Sequence, residues 1–133
     1  MLFIPLPGTA LLIPTPLANE PDKHHLHVLL TGAVGPSSTY GDREIVVVSV
    51  SSIKPKRGND PSCLLMPGDH PCIIRPSFVS YNFARVVTVG SLQAGINRGE
   101  IKPRTTFDDV VFQRVLAGAR SSSFTPRKIK AML

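Results

Sequence analysis

Apolar residues along this chain fall into short runs separated by turn-forming residues. Residues 7–13 (Pro-Gly-Thr-Ala-Leu-Leu-Ile) read as a tight turn feeding a short, largely buried strand. Residues 19–23 are polar and contain Pro21, which marks a loop. Residues 25–31 alternate, so that His25, His27, Leu29 and Thr31 share one strand face and Leu26, Val28 and Leu30 the other. Residues 32–42 lack apolar periodicity and read as a long connection. The strongest strand signal is at 45–53: apolar on both faces in its first half, as in a central strand, and alternating in its second, as near an edge. After a basic loop at 54–62 come short apolar runs at 63–65, 72–74 and 84–89, with a turn at Pro67-Gly68-Asp69. About six short strands, spaced by turns, predict a small barrel or sandwich.

The end of the chain changes period. Phe107, Val110, Val111, Val115 and Leu116 recur at helical spacing, with Thr106 and Asp109 as a capping-box variant and Gly118 as the expected stop. A second helix is predicted from Thr125 as N-cap and Pro126 as first helical residue. Strands followed by two helices give an α+β class, mainly β, with two C-terminal helices.

With 133 residues the chain is expected to be a single domain, 1–133, with barrel strands and loops in 1–96 and a basic helical part in 97–133. Thirteen Pro and ten Gly leave little room for the long helices of a bundle, and 42% hydrophobic against 18% charged residues excludes a disordered chain. No GxGxxG follows a strand and no GK[ST] is present, so neither a Rossmann domain nor a P-loop is expected. The net charge of +6 is unevenly placed. Residues 1–96 carry seven basic and six acidic side chains; residues 97–133 carry eight and three. Such a localised positive field attracts polyanions or an acidic protein, or serves as a solvated face. Prolines 5, 7, 14 and 16 interrupt the apolar start, which therefore reads as folded structure rather than a signal peptide. No unbroken apolar run reaches about 20 residues, so no membrane contact is expected, and a cytoplasmic location is the default. Cys63 and Cys72 are expected as free thiols, although one disulfide is conceivable.

The densest polar cluster is Asp69, His70, Arg75, Ser77, Tyr81 and Arg85. Metal-free RNA cleavage needs a base for the 2′-OH, an acid for the leaving 5′-oxygen and a cation for the phosphorane. His70 suits the proton-transfer roles and Arg75 or Arg85 the phosphate contact. The competing structural roles are turn capping for Asp69 and core hydrogen bonding for His70 and Tyr81. His24, His25 and His27 suggest a metal site, but no third donor stands at a zinc-binding spacing, and neither metal nor cofactor is expected. In the bland reading these imidazoles face solvent at the start of an edge strand. Cys72 beside His70 lacks a visible orienting group for nucleophilic catalysis. With six Phe and two Tyr, aromatics are too sparse to suggest a base-stacking platform.

The run Gly68-Asp69-His70-Pro71-Cys72-Ile73, with Arg75-Pro76-Ser77-Phe78-Val79-Ser80-Tyr81 and Ala84-Arg85 behind it, resembles a branch of the MazF/PemK-type toxins. So does residues 25–31 followed by 45–50. The similarity runs loosely from Pro7 to the terminus. It implies an SH3-like barrel and a metal-independent endoribonuclease of a type II toxin–antitoxin system. Such proteins cleave single-stranded RNA, are often homodimeric and are restrained by an acidic antitoxin. The chain departs from the best-known members in lacking an Arg-Gly-x-Glu-Gln-type loop after the first strand and a placeable Thr-Ser dyad. In its place Asp69, His70, Arg75, Ser77, Tyr81 and Arg85 are the expected catalytic group. The alternative is a non-catalytic barrel that binds nucleic acid or protein.

Overall fold

Residues 45–50 are apolar on both faces and must be covered from both sides, which places their strand inside the sheet. In the computed structural model, which describes residues 3–33, 40–55 and 58–133, they form the middle of β3 (Glu44–Ser52). Around it lie β1 (Ala10–Pro14), β2 (His24–Leu29), β4 (Leu64–Leu65), β5 (Ser77–Thr88) and β6 (Lys102–Arg104). The six strands make one antiparallel sheet of order β4-β5-β3-β2-β1-β6, curled into a half-barrel. The class is α+β, mainly β. Residues 34–39 of the long connection and Lys56 and Arg57 of the basic loop lie outside the described residues.

Alternation along β3 divides the interior into two cores. Val46, Val48 and Val50 join Leu26, Val28, Val79, Tyr81 and Phe107 beneath α2 (Asp109–Ser121) and α3 (Arg127–Lys130). Ile45 and Val47 point the other way, into a smaller core with Leu11, Leu29 and Ile101. Its cover is α1 (Val89–Asn97), which contributes Val89 and Leu92. On the same face Leu11 and Ile13 carry this core on opposite His27 and His25, where the strand positions of β2, β3 and β5 turn polar.

Several elements differ from the sequence expectation, each for a local reason. The sixth strand is β6 rather than 72–74; its Pro103 is tolerated because β6 pairs on one side only, with β1. The 72–74 segment is held as a turn by the Ile73 N–H donating to the His70 carbonyl, between Pro71 and Pro76. Residues 84–89 belong to a longer strand that runs directly into α1, a helix hidden in the sequence by Gly90 and Gly95. Thr88 caps it by accepting the Ser91 N–H, and Gly99, at φ +77°, supplies the left-handed residue just past its end. The cap of α2 is Asp108, not Thr106: its carboxylate accepts the Val111 N–H. At α3 the cap is Pro126, one residue after Thr125.

Gly118 does not stop α2. The helix continues to Ser121, and Gly118 is the point where it meets the buried Tyr81 ring. A Cβ there would overlap the Tyr81 hydroxyl and lie 2.9 Å from its Cζ. The helix ends one turn later, where the buried Ser122 leaves helical geometry and donates to Asp60 Oδ2 at 2.6 Å.

Gly118→Ala should therefore destabilise the fold by about 2 kcal/mol, in the overpacking range. Urea denaturation of this variant and of Gly118→Ala/Tyr81→Phe checks the cause: the double variant should lose less than the sum of the singles. Additive losses would mean that the two residues do not share the contact.

Candidate functional site: the His27–Arg85 face of the sheet

Cross-strand pairs place side chains on the same face, so the register shows what shares the face of His27. Ile13 pairs with His25, His27 with Ser49, Ser49 with Ser80, Ser51 with Phe78, and Val47 with Arg85. This half of the face thus carries His25, His27, Ser49, Ser51, Phe78, Ser80 and Arg85, of which Arg85 is exposed and His27, Ser49 and Ser80 are buried. None of these strand positions is acidic.

At its centre His27 is fully buried in the sheet surface and Arg85 lies over it, with Nη1 3.3 Å from Nε2. His27 Nδ1 lies 2.9 Å from the His25 carbonyl oxygen, which can only accept, so Nδ1 carries the proton. Nε2 is then unprotonated and accepts from the Arg85 guanidinium. Burial, above all, lowers the His27 pKa to about 4; Arg85 and His25 add repulsion that the hydrogen bond to the His25 carbonyl only partly opposes. The ring is neutral at physiological pH. Arg85 is exposed, although contact with the sheet desolvates its guanidinium enough to lower its pKa as well. His25 is half-buried and its Nδ1 is bonded to the Thr15 hydroxyl. Burial again lowers its pKa, reinforced by the Lys23 and Lys54 charges and opposed by Glu20. Ser51 and Ser80 hydroxyls pair at 3.0 Å across β3 and β5.

The structure separates the cluster read from the sequence. Arg85 is on this face, whereas His70 is on the far side of the sheet, stacked on the core residue Phe107 at 4.4 Å between centroids. Both His70 ring nitrogens are taken by backbone: Nδ1 accepts the Cys72 N–H at 3.0 Å and Nε2 bonds the Thr105 carbonyl. Tyr81 is fully buried and donates to the Val115 carbonyl at 2.7 Å; its pKa is pushed far up by burial and by the neighbouring Cys63. Ser77 is buried and donates to the Arg75 carbonyl at 2.8 Å. Asp69 accepts the Met66 N–H at 2.7 Å, closing the turn, and meets Arg114 at 3.4 Å. Arg75 is exposed.

His27 is the residue that the sequence reading missed. Its strand is internal rather than at an edge, so its imidazole is buried and not solvent-facing. The signal available was the sharing of one strand face by His25 and His27. Cys63 and Cys72 are free thiols. Among the described residues no group of three or more His, Cys, Asp or Glu is placed to hold a metal, and no helix is long and apolar enough to cross a membrane. A shallow groove of about 480 Å³ between β4 and α2 is lined by Ser62, Leu64, Arg114 and Ser121. There Arg114 is already bonded to the Leu64 carbonyl and to Asp69, so the groove gathers no reactive set.

The His27 pKa gives the sign of a pH effect. Its proton binds near 6.5 in the unfolded chain and near 4 in the folded one. Between these values the unfolded state holds the extra proton, so this group's contribution to stability falls as pH drops from 6.5 to 4. The loss reaches about 3 kcal/mol, and above 6.5 the contribution is constant. Denaturant midpoints measured from pH 4 to 8 should therefore show a flatter profile for His27→Gln than for the parent; parallel profiles would contradict the buried neutral imidazole.

Comparison with known proteins gives no matching family model and no matching curated protein, so what the site does is argued from its geometry.

Proposed function

We propose that the protein is a metal-independent endoribonuclease of the MazF/PemK kind, built on an SH3-like barrel, and that single-stranded RNA lies across the Arg85 face of the sheet. The observation that carries this reading is the contact between Arg85 and the unprotonated Nε2 of neutral His27. Arg85 offers donors to a phosphodiester, and the adjacent acceptor suits the 2′-OH of the same nucleotide.

The reaction follows from those two groups. In binding the phosphate Arg85 leaves His27 Nε2, which then takes the 2′-OH proton; the 2′-oxygen attacks the neighbouring phosphorus while Arg85 compensates the charge on the phosphorane oxygens. The bond to the 5′-oxygen breaks, leaving a 2′,3′-cyclic phosphate and a 5′-hydroxyl. His25, on the same strand face, is the second proton carrier, for the leaving oxygen. A phosphate held by Arg85 offsets that guanidinium's repulsion of His27 and lifts its pKa toward the range of an effective base. His70, Ser77 and Tyr81 support the fold in this scheme, and Asp69 and Arg75 stand outside it. A homodimer and an acidic antitoxin partner belong to the same reading, the latter favoured by the net charge of +6.

A second reading is a barrel that binds nucleic acid or protein without cleaving it. It is favoured by the absence of the Arg-Gly-x-Glu-Gln-type loop and by the backbone bonds that occupy His70, Ser77 and Tyr81.

Incubating the purified protein with a defined single-stranded RNA in EDTA separates the two. The nuclease reading predicts cyclic-phosphate ends, a loss of about 10²–10³-fold in rate for Arg85→Gln at unchanged thermal stability, and near-parental cleavage by Tyr81→Phe. That last variant should lose only about 1 kcal/mol of stability, the worth of its buried hydrogen bond. Intact RNA leaves the binding module; loss of cleavage in a folded Tyr81→Phe would return catalysis to the far side of the sheet.

A further inference from the structure

β5 carries a large bulge beside Arg85. Val47 pairs with Arg85 and Ser49 with Ser80, so four residues of β5, 81–84, stand opposite the single residue Val48. Tyr81 and Ala84 both turn into the core beneath α2, which breaks the alternation between them. From Ala84 onward the alternation resumes, and Phe83 stands within the bulge, two residues before Arg85. Phe83 is 65% exposed. Leaving a phenylalanine in water forgoes the burial that such side chains ordinarily gain. Phe78 lies on the Arg85 face, half-buried, opposite Ser51. Counting strand rise from Ser51 to Val48, the two backbone positions are about 10 Å apart along the sheet.

Two aromatic rings and a guanidinium on a stretch of sheet whose strand positions carry no carboxylate match the requirements of a single nucleic-acid strand: a flat apolar surface for each base and a cation for the phosphate between them. Lys54 beside His25 adds to that field, while Lys23 is paired with Glu20. We infer that Phe83, with Phe78 as a second platform, stacks the bases of the RNA strand whose phosphate Arg85 holds. This rests on the Arg85 face being the RNA contact and adds the residues that hold the bases. Phe83 is a positioning residue: it takes no part in proton transfer and fixes the strand so that one 2′-OH stands at His27.

The test is equilibrium binding of a fluorescein-labelled 2′-deoxyuridine dodecamer, which lacks the nucleophilic hydroxyl and is not consumed, alongside its abasic counterpart. The proteins are the parent, Phe83→Ala, Phe83→Trp and Arg85→Gln. Phe83→Ala should bind the intact oligonucleotide about 5- to 150-fold more weakly than the parent, and the abasic one equally well. Phe83→Trp, the only tryptophan in the chain, should bind like the parent and lose fluorescence as bases stack on it. Parental affinity in Phe83→Ala, with weakened binding in Arg85→Gln, would overturn the stacking inference and leave the contact face standing. No binding by the parent, or parental binding by Arg85→Gln, would overturn the contact face and the inference with it.

Discussion

A strand that is apolar on both faces demands two covers, and the helices supply them. Valines 46, 48 and 50 are sealed beneath α2 and α3. Ile45 and Val47 share the smaller core with Val89 and Leu92 of α1. Further along the same face the strands change composition: Leu29 gives way to His27, and Val47 to Ser49 and Ser51. Everything assigned to the site lies on that polar half of the face, where Arg85 is exposed over the buried His27.

The chemistry there depends on a buried imidazole with a fixed tautomer. The His25 carbonyl holds the Nδ1 proton of His27, Arg85 faces the other nitrogen, and burial keeps the ring neutral. A cation and a neutral acceptor in contact form a poor binding site for a simple anion, because Nε2 has no proton to offer it. They suit a ligand that presents an anion and a hydroxyl side by side. That is the local pattern of a ribose 2′-OH next to its 3′-phosphodiester, and it is the ground on which RNA is proposed as the ligand.

Much of the architecture was legible from sequence, because runs with period two announce their own faces: β1, β2 and β3 lie close to where alternation predicts them. What escaped did so for physical reasons. β6 contains a proline, α1 contains two glycines, and the bulge of β5 breaks the alternation between Tyr81 and Ala84, which both enter the core. The site suffered most from reasoning by proximity in sequence. Asp69, His70, Arg75, Ser77, Tyr81 and Arg85 lie within 17 residues of one another, yet a turn and a twelve-residue strand place His70 and Arg85 on opposite faces. Gly118 shows the same limit: a helix-stopping residue by propensity, it is required instead by the ring packed against it.

The most direct test of where the ligand sits is a map of backbone amide and imidazole NMR shifts during titration with an uncleavable single-stranded oligonucleotide. Shifts concentrated on His25, His27, Ser49, Ser51, Phe83 and Arg85 are what the account predicts. Shifts concentrated around His70 to Arg75 or along α3, with the β2–β3–β5 surface unmoved, would contradict it.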